Sequence, residues 1–218
     1  MTSSRDAFIR AQTMLASPPF VPEIALQLAT EITPLWQATE SWLEQTNTSP
    51  PYWAFAWPGG QALARYLLDH PELARGKRVL DFAAGCGIAA IAAAKVGAAQ
   101  SMACDIDPLS QAATAMNAAH NKVAVRSLPR IDMEKLCPGV DLIIAGDVCY
   151  EQTMSHKVLR WLRLCATAGT QVLLADPGRA YVPEDGLEER ARYTVPALRE
   201  LEDRDTRDVT VWRLLPAG

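Results

Sequence analysis

The sequence predicts an α/β fold: a Rossmann-like, seven-stranded sheet with helices on both faces and an N-terminal helical extension. Three observations carry this. Short apolar runs alternate with helical periods between residues 78 and 175, the pattern of a parallel sheet built from strand–helix–strand units. The stretch "VLDFAAGCGIAA" (79–90) joins a strand to an Ala-rich helix through a glycine loop. Two further strand-like runs close the chain as a hairpin. With 218 residues and 49% hydrophobic composition, the chain can bury one substantial core. We therefore expect a single domain, with the N-terminal helices and aromatic loop of residues 1–60 packed on a core of residues 61–218.

In chain order, residues 4–16 and 22–45 read as helices separated by Pro18, Pro19 and Pro22, whose rings cannot continue a helix. "NTSPPYWAFAWPGG" (47–60) is a Pro- and Gly-rich loop loaded with aromatics, and Leu63, Tyr66 and Leu67 give residues 60–69 a helical period. Strand 78–83 precedes helix 87–95, and strand 100–105 precedes helix 108–119. A weak strand follows at 123–128, then strand 140–146, helix 152–166 and strand 170–175. Beyond Asp176-Pro177-Gly178 we expect a short helix near 184–192 and strands at 193–202 and 207–215.

Bulk properties narrow the function classes. The net charge is −4, and the small basic cluster Arg75, Lys77 and Arg78 reads as a solvated turn. A nucleic-acid partner, which needs a basic face, is not expected. The five cysteines form no C-x-x-C pair and do not cluster with His70, His120 or His156, so no metal site is expected. An odd count without a framework fits a reducing compartment. No run approaches the ~18 apolar residues of a membrane helix, so no membrane partner is expected either. Residues 1–17 read as an amphipathic first helix rather than a targeting segment.

The chemistry begins at the glycine loop. Gly85, Gly87 and Ala90 fit the dinucleotide fingerprint, yet Asp81 sits in the strand just before them. A pyrophosphate fed to the helix N-terminus would meet that carboxylate. S-adenosylmethionine has no phosphate and carries an ammonium and a sulfonium, so Asp81 favours a methyl donor. The final hairpin also matches a seven-stranded methyltransferase plan better than a plain dinucleotide domain. Asp105 in "CDIDP" ends the second strand and can accept both ribose hydroxyls. Asp107 reads as the cap of the helix that Pro108 begins, and Asp132 either reaches the adenine amino group or is a surface acid. The strand in "DLIIAGDVCYE" delivers Asp147 and Tyr150 at its carboxyl end. There Asp147 is either a helix cap or the group that orients an amine, with Tyr150 as an aromatic wall. Of Trp53, Phe55 and Trp57, two read as core, while Trp57 can lay its indole against a cationic ligand.

"PYWAFAWPGGQALARYLLD", "VLDFAAGCGIAAIAAAKVGA", "CDIDP", "GDVCY" and "LLADPGR" resemble, in order and spacing, the electron transfer flavoprotein β-subunit lysine methyltransferase family. That family belongs to the seven-β-strand (class I) protein methyltransferases and is related to ribosomal-protein methyltransferases. The resemblance implies an S-adenosylmethionine-dependent protein-lysine N-methyltransferase. Its protein substrate would be the flavoprotein β-subunit, with ribosomal proteins as the alternative. By motif, Asp81, Gly85 and Gly87 would form the methionine-side loop, Asp105 the ribose acid and Trp57 a cofactor-facing aromatic. Asp147 and Tyr150 would be the D-x-x-Y pair at the target lysine. The short N-terminus resembles a bacterial, cytoplasmic member rather than one of the mitochondrial matrix, and nothing in the sequence demands more than a monomer. Two other classes stay open from the residues alone: a nicotinamide-dependent oxidoreductase, and a non-catalytic module that only binds the cofactor. A nucleic-acid amine methyltransferase would carry a polar-Pro-Pro-aromatic motif where this chain has Asp147-Val148-Cys149-Tyr150.

Overall fold

A computed structural model describes residues 4–30, 51–197 and 204–216. Helix α1 (Ser4–Gln12) is followed by a two-stranded antiparallel ribbon, β1 (Met14–Ala16) with β2 (Leu26–Leu28). A 3-10 turn over Tyr52–Ala54 leads to α2 (Pro58–Asp69), and the core alternation follows: β3 (Arg78–Phe82), α3 (Ile88–Lys95), β4 (Gln100–Cys104), α4 (Pro108–His120), β5 (Arg126–Leu128), β6 (Leu142–Gly146), α5 (Gln152–Thr167) and β7 (Gln171–Asp176). Strands β8 (Leu187–Pro196) and β9 (Thr206–Leu214) complete the sheet. Its order is β5-β4-β3-β6-β7-β9-β8, parallel through β7 and antiparallel at β9 and β8.

Side chains alternate across the sheet with the period of two that a pleated strand imposes. Val79, Leu142, Ile144 and Leu173 pack with Leu63 and Leu67 of α2 and Ile88 and Ile91 of α3. Leu80, Ile143, Val172 and Leu174 pack on the opposite face with Val158, Trp161 and Leu162 of α5. The Ala-rich α3 is buried on nearly every side, from Ile88 to Ala93. Small side chains let it lie close between sheet and α2.

Three expectations about elements are corrected. The first helix stops at Gln12 rather than residue 16, because Thr13 turns its hydroxyl back to the Ile9 carbonyl at 2.6 Å and the chain continues as β1. The start of the expected 22–45 helix is instead β2, tied to α4 by the Gln27 N–H donating to Asn117 Oδ1 at 2.7 Å. The rest of that expectation, residues 31–45, lies outside the described residues. The helix expected near 184–192 is part of β8. Leu187 and Ala191 are four apart, as on a helix, but Ala191, Tyr193 and Val195 alternate inward and pair with β9; pairing overrides the local period. Of the expected last strands, residues 198–202 lie outside the described residues, while β9 falls inside the expected 207–215 apart from one residue. The aromatic loop ends at Trp57, since Pro58 is the first residue of α2, where a missing N–H costs nothing.

Candidate active site

The carboxyl ends of β3, β4, β6 and β7 converge along one edge of the sheet, where open α/β sheets hold ligands. On the β3–β4 side the loop after Phe82 reverses sharply. Ala83, Gly85 and Gly87 have φ of +57°, +53° and +79°, and a Cβ on Gly87 would meet Thr114 at 2.7 Å. Asp81 is 4% exposed, and its Oδ2 accepts the N–H of Ala90 in the first turn of α3 at 3.0 Å. Burial pushes its carboxyl up to about 7. Asp105 accepts the Gly85 N–H on Oδ2 and the Asp107 N–H on Oδ1, both at 2.9 Å, and burial raises its carboxyl above the ordinary range. The buried Ser110 side chain bonds the same carboxylate, and a carboxylate has about four acceptor positions in all, so capacity remains for a ribose hydroxyl. Asp107 caps α4 by accepting the Leu109 N–H at 2.8 Å, as expected. Ile106, next to Asp105, is 81% exposed, an apolar face that the sequence reading did not single out.

On the β6–β7 side the expected ambiguity over Asp147 is resolved by its neighbour. Glu151 caps α5, accepting the N–H groups of Thr153 and Met154 at 3.0 and 2.7 Å, so Asp147 is not the cap. Asp147 has φ +55°, a conformation costly for a residue with a Cβ and held here by several bonds. Its N–H donates to the Ala175 carbonyl at 3.0 Å. Its Oδ2 accepts the Gly60 N–H at the start of α2 at 3.2 Å, and its Oδ1 receives Arg179 Nη2 at 3.1 Å. A Cβ on Gly59 would lie 2.5 Å from Asp147 Oδ2 and 2.6 Å from the Ala175 carbonyl; the glycine pair is what lets α2 close on this carboxylate.

Tyr150 is half-exposed and its ring lies 5.8 Å from that of Tyr52. Burial first, then Tyr52, pushes its phenol up to about 12, so it is a neutral wall and hydrogen-bonding group. With Pro177, Gly178, Arg179, Ala180 and Arg207 it lines a cavity of about 290 Å³. Trp53 and Phe55 are buried core, as expected of two of the three aromatics. Trp57 faces Tyr52 and Phe55, donates its indole N–H to the Tyr52 carbonyl at 2.9 Å and has the Arg179 guanidinium carbon 6.0 Å from its ring centre. It therefore stands with the β6–β7 group. Asp132 is exposed; its carboxylate accepts the Glu134 N–H at 3.1 Å and pairs with Lys135, also at 3.1 Å, the local turn of a surface acid. Asp176 and Arg179 of "ADPGR" carry no role that the sequence pattern alone reveals. Asp176 is fully buried, with its carboxyl pushed up to about 7 chiefly by burial, and its Oδ1 accepts the Arg179 N–H at 2.6 Å. Arg179 then crosses to Asp147. An Asp-Pro-Gly-Arg turn at the end of a buried strand was the available signal.

Comparison with known proteins agrees with this geometry. Residues 61–146 match the family described as ribosomal protein L11 methyltransferase (PrmA). The electron transfer flavoprotein beta subunit lysine methyltransferase of Danio rerio is 40% identical over 201 residues, covering 88% of this chain and 76% of the relative. That of Homo sapiens is 35% identical over 222 residues, covering 96% and 82%. Among solved structures, a putative RNA methyltransferase from Pyrococcus horikoshii superposes with a TM-score of 0.59 at 16% identity, over 84% of this chain and 98% of that one. Magnesium protoporphyrin IX methyltransferase from Synechocystis, solved with bound SAM, superposes with a TM-score of 0.51 at 16% identity, over 71% and 77%.

Proposed function

The chain belongs to the electron transfer flavoprotein β-subunit lysine methyltransferase family, and from that premise we propose that it methylates lysine side chains of the flavoprotein β-subunit, with S-adenosylmethionine as donor. The observation that carries the reading is Asp147. It is relieved of helix capping by Glu151 and fixed in a strained conformation beside the Tyr150 cavity, one strand from the glycine loop. Stored strain of this kind clusters at working sites.

The donor half fits the proposed ligand. Gly85 and Gly87 allow close backbone approach, and Asp105 has acceptor capacity for the ribose. The buried Asp81 carboxyl braces the loop from behind by accepting the Ala90 N–H, and Ile106 offers an apolar face for the adenine. When bound, S-adenosylmethionine supplies a sulfonium methyl group, which in-line displacement by an amine would remove to leave S-adenosylhomocysteine. The protein's task is then to present a neutral lysine nitrogen. A free lysine has a pKa near 10.4, so its neutral form costs about 4–5 kcal/mol at pH 7. Asp147 orients the nitrogen by accepting one of its hydrogens, Tyr150 walls the approach, and the proton lost on methylation passes to solvent. Alignment of this sort supplies much of a transfer enzyme's rate.

Among the described residues no helix is long and apolar enough to cross a membrane. We further propose a cytoplasmic monomer; its net charge of −4 supports action on protein rather than nucleic acid. Ribosomal proteins are the second substrate class, favoured by the match over residues 61–146. Incubating recombinant flavoprotein and, separately, ribosomal proteins with enzyme and donor, followed by mass spectrometry, decides between them. Mass gains of one or more methyl groups on β-subunit lysines are expected; gains confined to ribosomal proteins, or none on either, would overturn the assignment.

A further inference from the structure

Asn117 stands where a helix has little use for it. It lies within α4 beside Ala118 and Ala119 and is fully buried, in a setting where asparagine is a poor helix former. Its side chain joins two segments that are far apart in sequence. Oδ1 accepts the Gln27 N–H of β2 at 2.7 Å, and Nδ2 donates at 2.9 Å to the carbonyl of Cys86, between the two glycines of the loop. A backbone N–H on one side and a backbone carbonyl on the other fix which way round the amide sits. One turn earlier, Thr114 donates its hydroxyl to the Gly85 carbonyl at 3.3 Å. One turn later, Asn121 bonds both backbone groups of Ala25, at 3.1 and 2.6 Å. The ribbon also reaches the loop by a second route. The Ala29 N–H donates to the Ala54 carbonyl at 2.8 Å, in the turn whose Tyr52 carbonyl lies 3.7 Å from where a Cβ on Gly85 would stand.

We propose, on the reading of this loop as the donor site, that Asn117 is a positioning residue for the methyl donor: it fastens the glycine loop to the N-terminal ribbon, so that the loop holds its binding shape before the donor arrives. Gly85 and Gly87 permit close approach, but with φ of +53° and +79° they also bring a backbone freedom that other residues lack. A loop that keeps its bound shape only part of the time binds more weakly by that fraction. Committing the Gly85 and Cys86 carbonyls to α4 fixes the planar peptide units on both sides of Cys86. The tie runs onward through the same amide to β2, so the ribbon and the loop are held as one piece. Asn117 reaches the donor only through the loop and takes no part in the chemistry.

The test is calorimetry of S-adenosylhomocysteine binding to the full chain, with the wild type measured beside each variant. N117D keeps the acceptor that faces Gln27 but sets a carboxylate oxygen against the Cys86 carbonyl. At pH 8.5 its affinity should be about 10–100-fold below that of the wild type, because two buried acceptors then face each other with no proton between them. At pH 6 a carboxyl buried there holds its proton and can donate it to Cys86, so the gap should close. The titratable groups facing this place are Asp81, Asp105, Cys86 itself and His120, whose ring lies 3.2 Å from the Gln27 side chain. All four are present in both proteins and cancel in the ratio. N117S, a second variant in case N117D folds poorly, reaches at most one of the two partners and should bind about 10-fold more weakly at either pH. In methyl transfer it should raise the KM for donor while kcat at saturating donor stays near the wild-type value. N121D loosens the same seam at Ala25 without touching the loop and should leave donor affinity unchanged. Wild-type affinity in N117D and N117S at pH 8.5, a gap in N117D that pH does not close, or a loss in N121D as large as in N117D overturns the inference. No donor binding by the wild type would instead count against the donor reading itself.

Discussion

The two halves of the site hold their acids in different ways. In the donor half, Asp81 and Asp105 accept backbone N–H groups of Ala90, Gly85 and Asp107, with Ser110 a further partner of Asp105, and all of these lie between residues 81 and 110. In the acceptor half, Asp147 is held by residues far apart in sequence: the Gly59–Gly60 turn, Ala175 and Arg179. A pocket built within one short stretch, largely on backbone N–H groups, tolerates sequence drift and suits a ligand shared by many enzymes. A pocket assembled from distant segments and tied by an arginine side chain fails when one member changes, and that is where substrate choice can be set.

The sharpest way to break this comparison is D147A. Methyl transfer should fall by on the order of 100-fold or more, because alignment is lost, while calorimetry should find donor binding unchanged; a parallel loss of donor affinity would mean that the halves are not separable. G59A comes next. Its Cβ would press on Asp147 Oδ2 and the Ala175 carbonyl, and overpacking against backbone costs about 1–3 kcal/mol. A lowered melting temperature together with reduced transfer is expected. D105A should act on the opposite half, weakening donor binding by about 1.5–3 kcal/mol, the range for hydrogen bonds to a charged group, with transfer largely restored at saturating donor.

Each half also buries one acid whose carboxyl is pushed up to about 7, Asp81 and Asp176. Unfolded, both would titrate near 4. Between about pH 4 and 7 the folded chain binds protons that the unfolded chain has released, so stability should fall as pH rises through that window and level off above it. Glu23 and Glu151, held below the usual carboxylate range by Arg65 and by backbone N–H groups respectively, act with the opposite sign at lower pH. Urea midpoints from pH 5 to 8 measure the slope, and D176N should flatten it. The smallest effect is expected of A83G: with φ at +57°, glycine removes a steric cost of roughly 1–2 kcal/mol but loosens the unfolded chain by part of it. A net gain of about 0.5–1 kcal/mol in urea denaturation is the expected result.

The same contrast explains what the sequence disclosed. The donor half was legible because its signals are local: a strand, a glycine turn and an acid at the next strand end. Asp107 could be assigned to its cap because Pro108 follows it. Asp147 could not be settled alone, since a cap and a substrate-orienting acid look alike until Glu151 is seen taking both N–H groups. Trp57's partner was not legible either, because Arg179 reaches it only after the chain has laid down five strands of the sheet, β3 to β7, and returned. The helix expected near 184–192 failed for a related reason: local preference is read from neighbours, whereas a ladder is decided by a strand still to come.

That strand, β9, is inserted between β7 and β8, which has a consequence for synthesis. As the polypeptide leaves the ribosome, β7 and β8 emerge with the place between them vacant, and the sheet cannot seal until residues 206–214 are out. Until then β7 presents a bare, apolar edge to other nascent chains. A premature stop before residue 206 would therefore cost more than one hairpin: it would leave Ala175 and Asp176, the footing of Asp147 and Arg179, on an open rim.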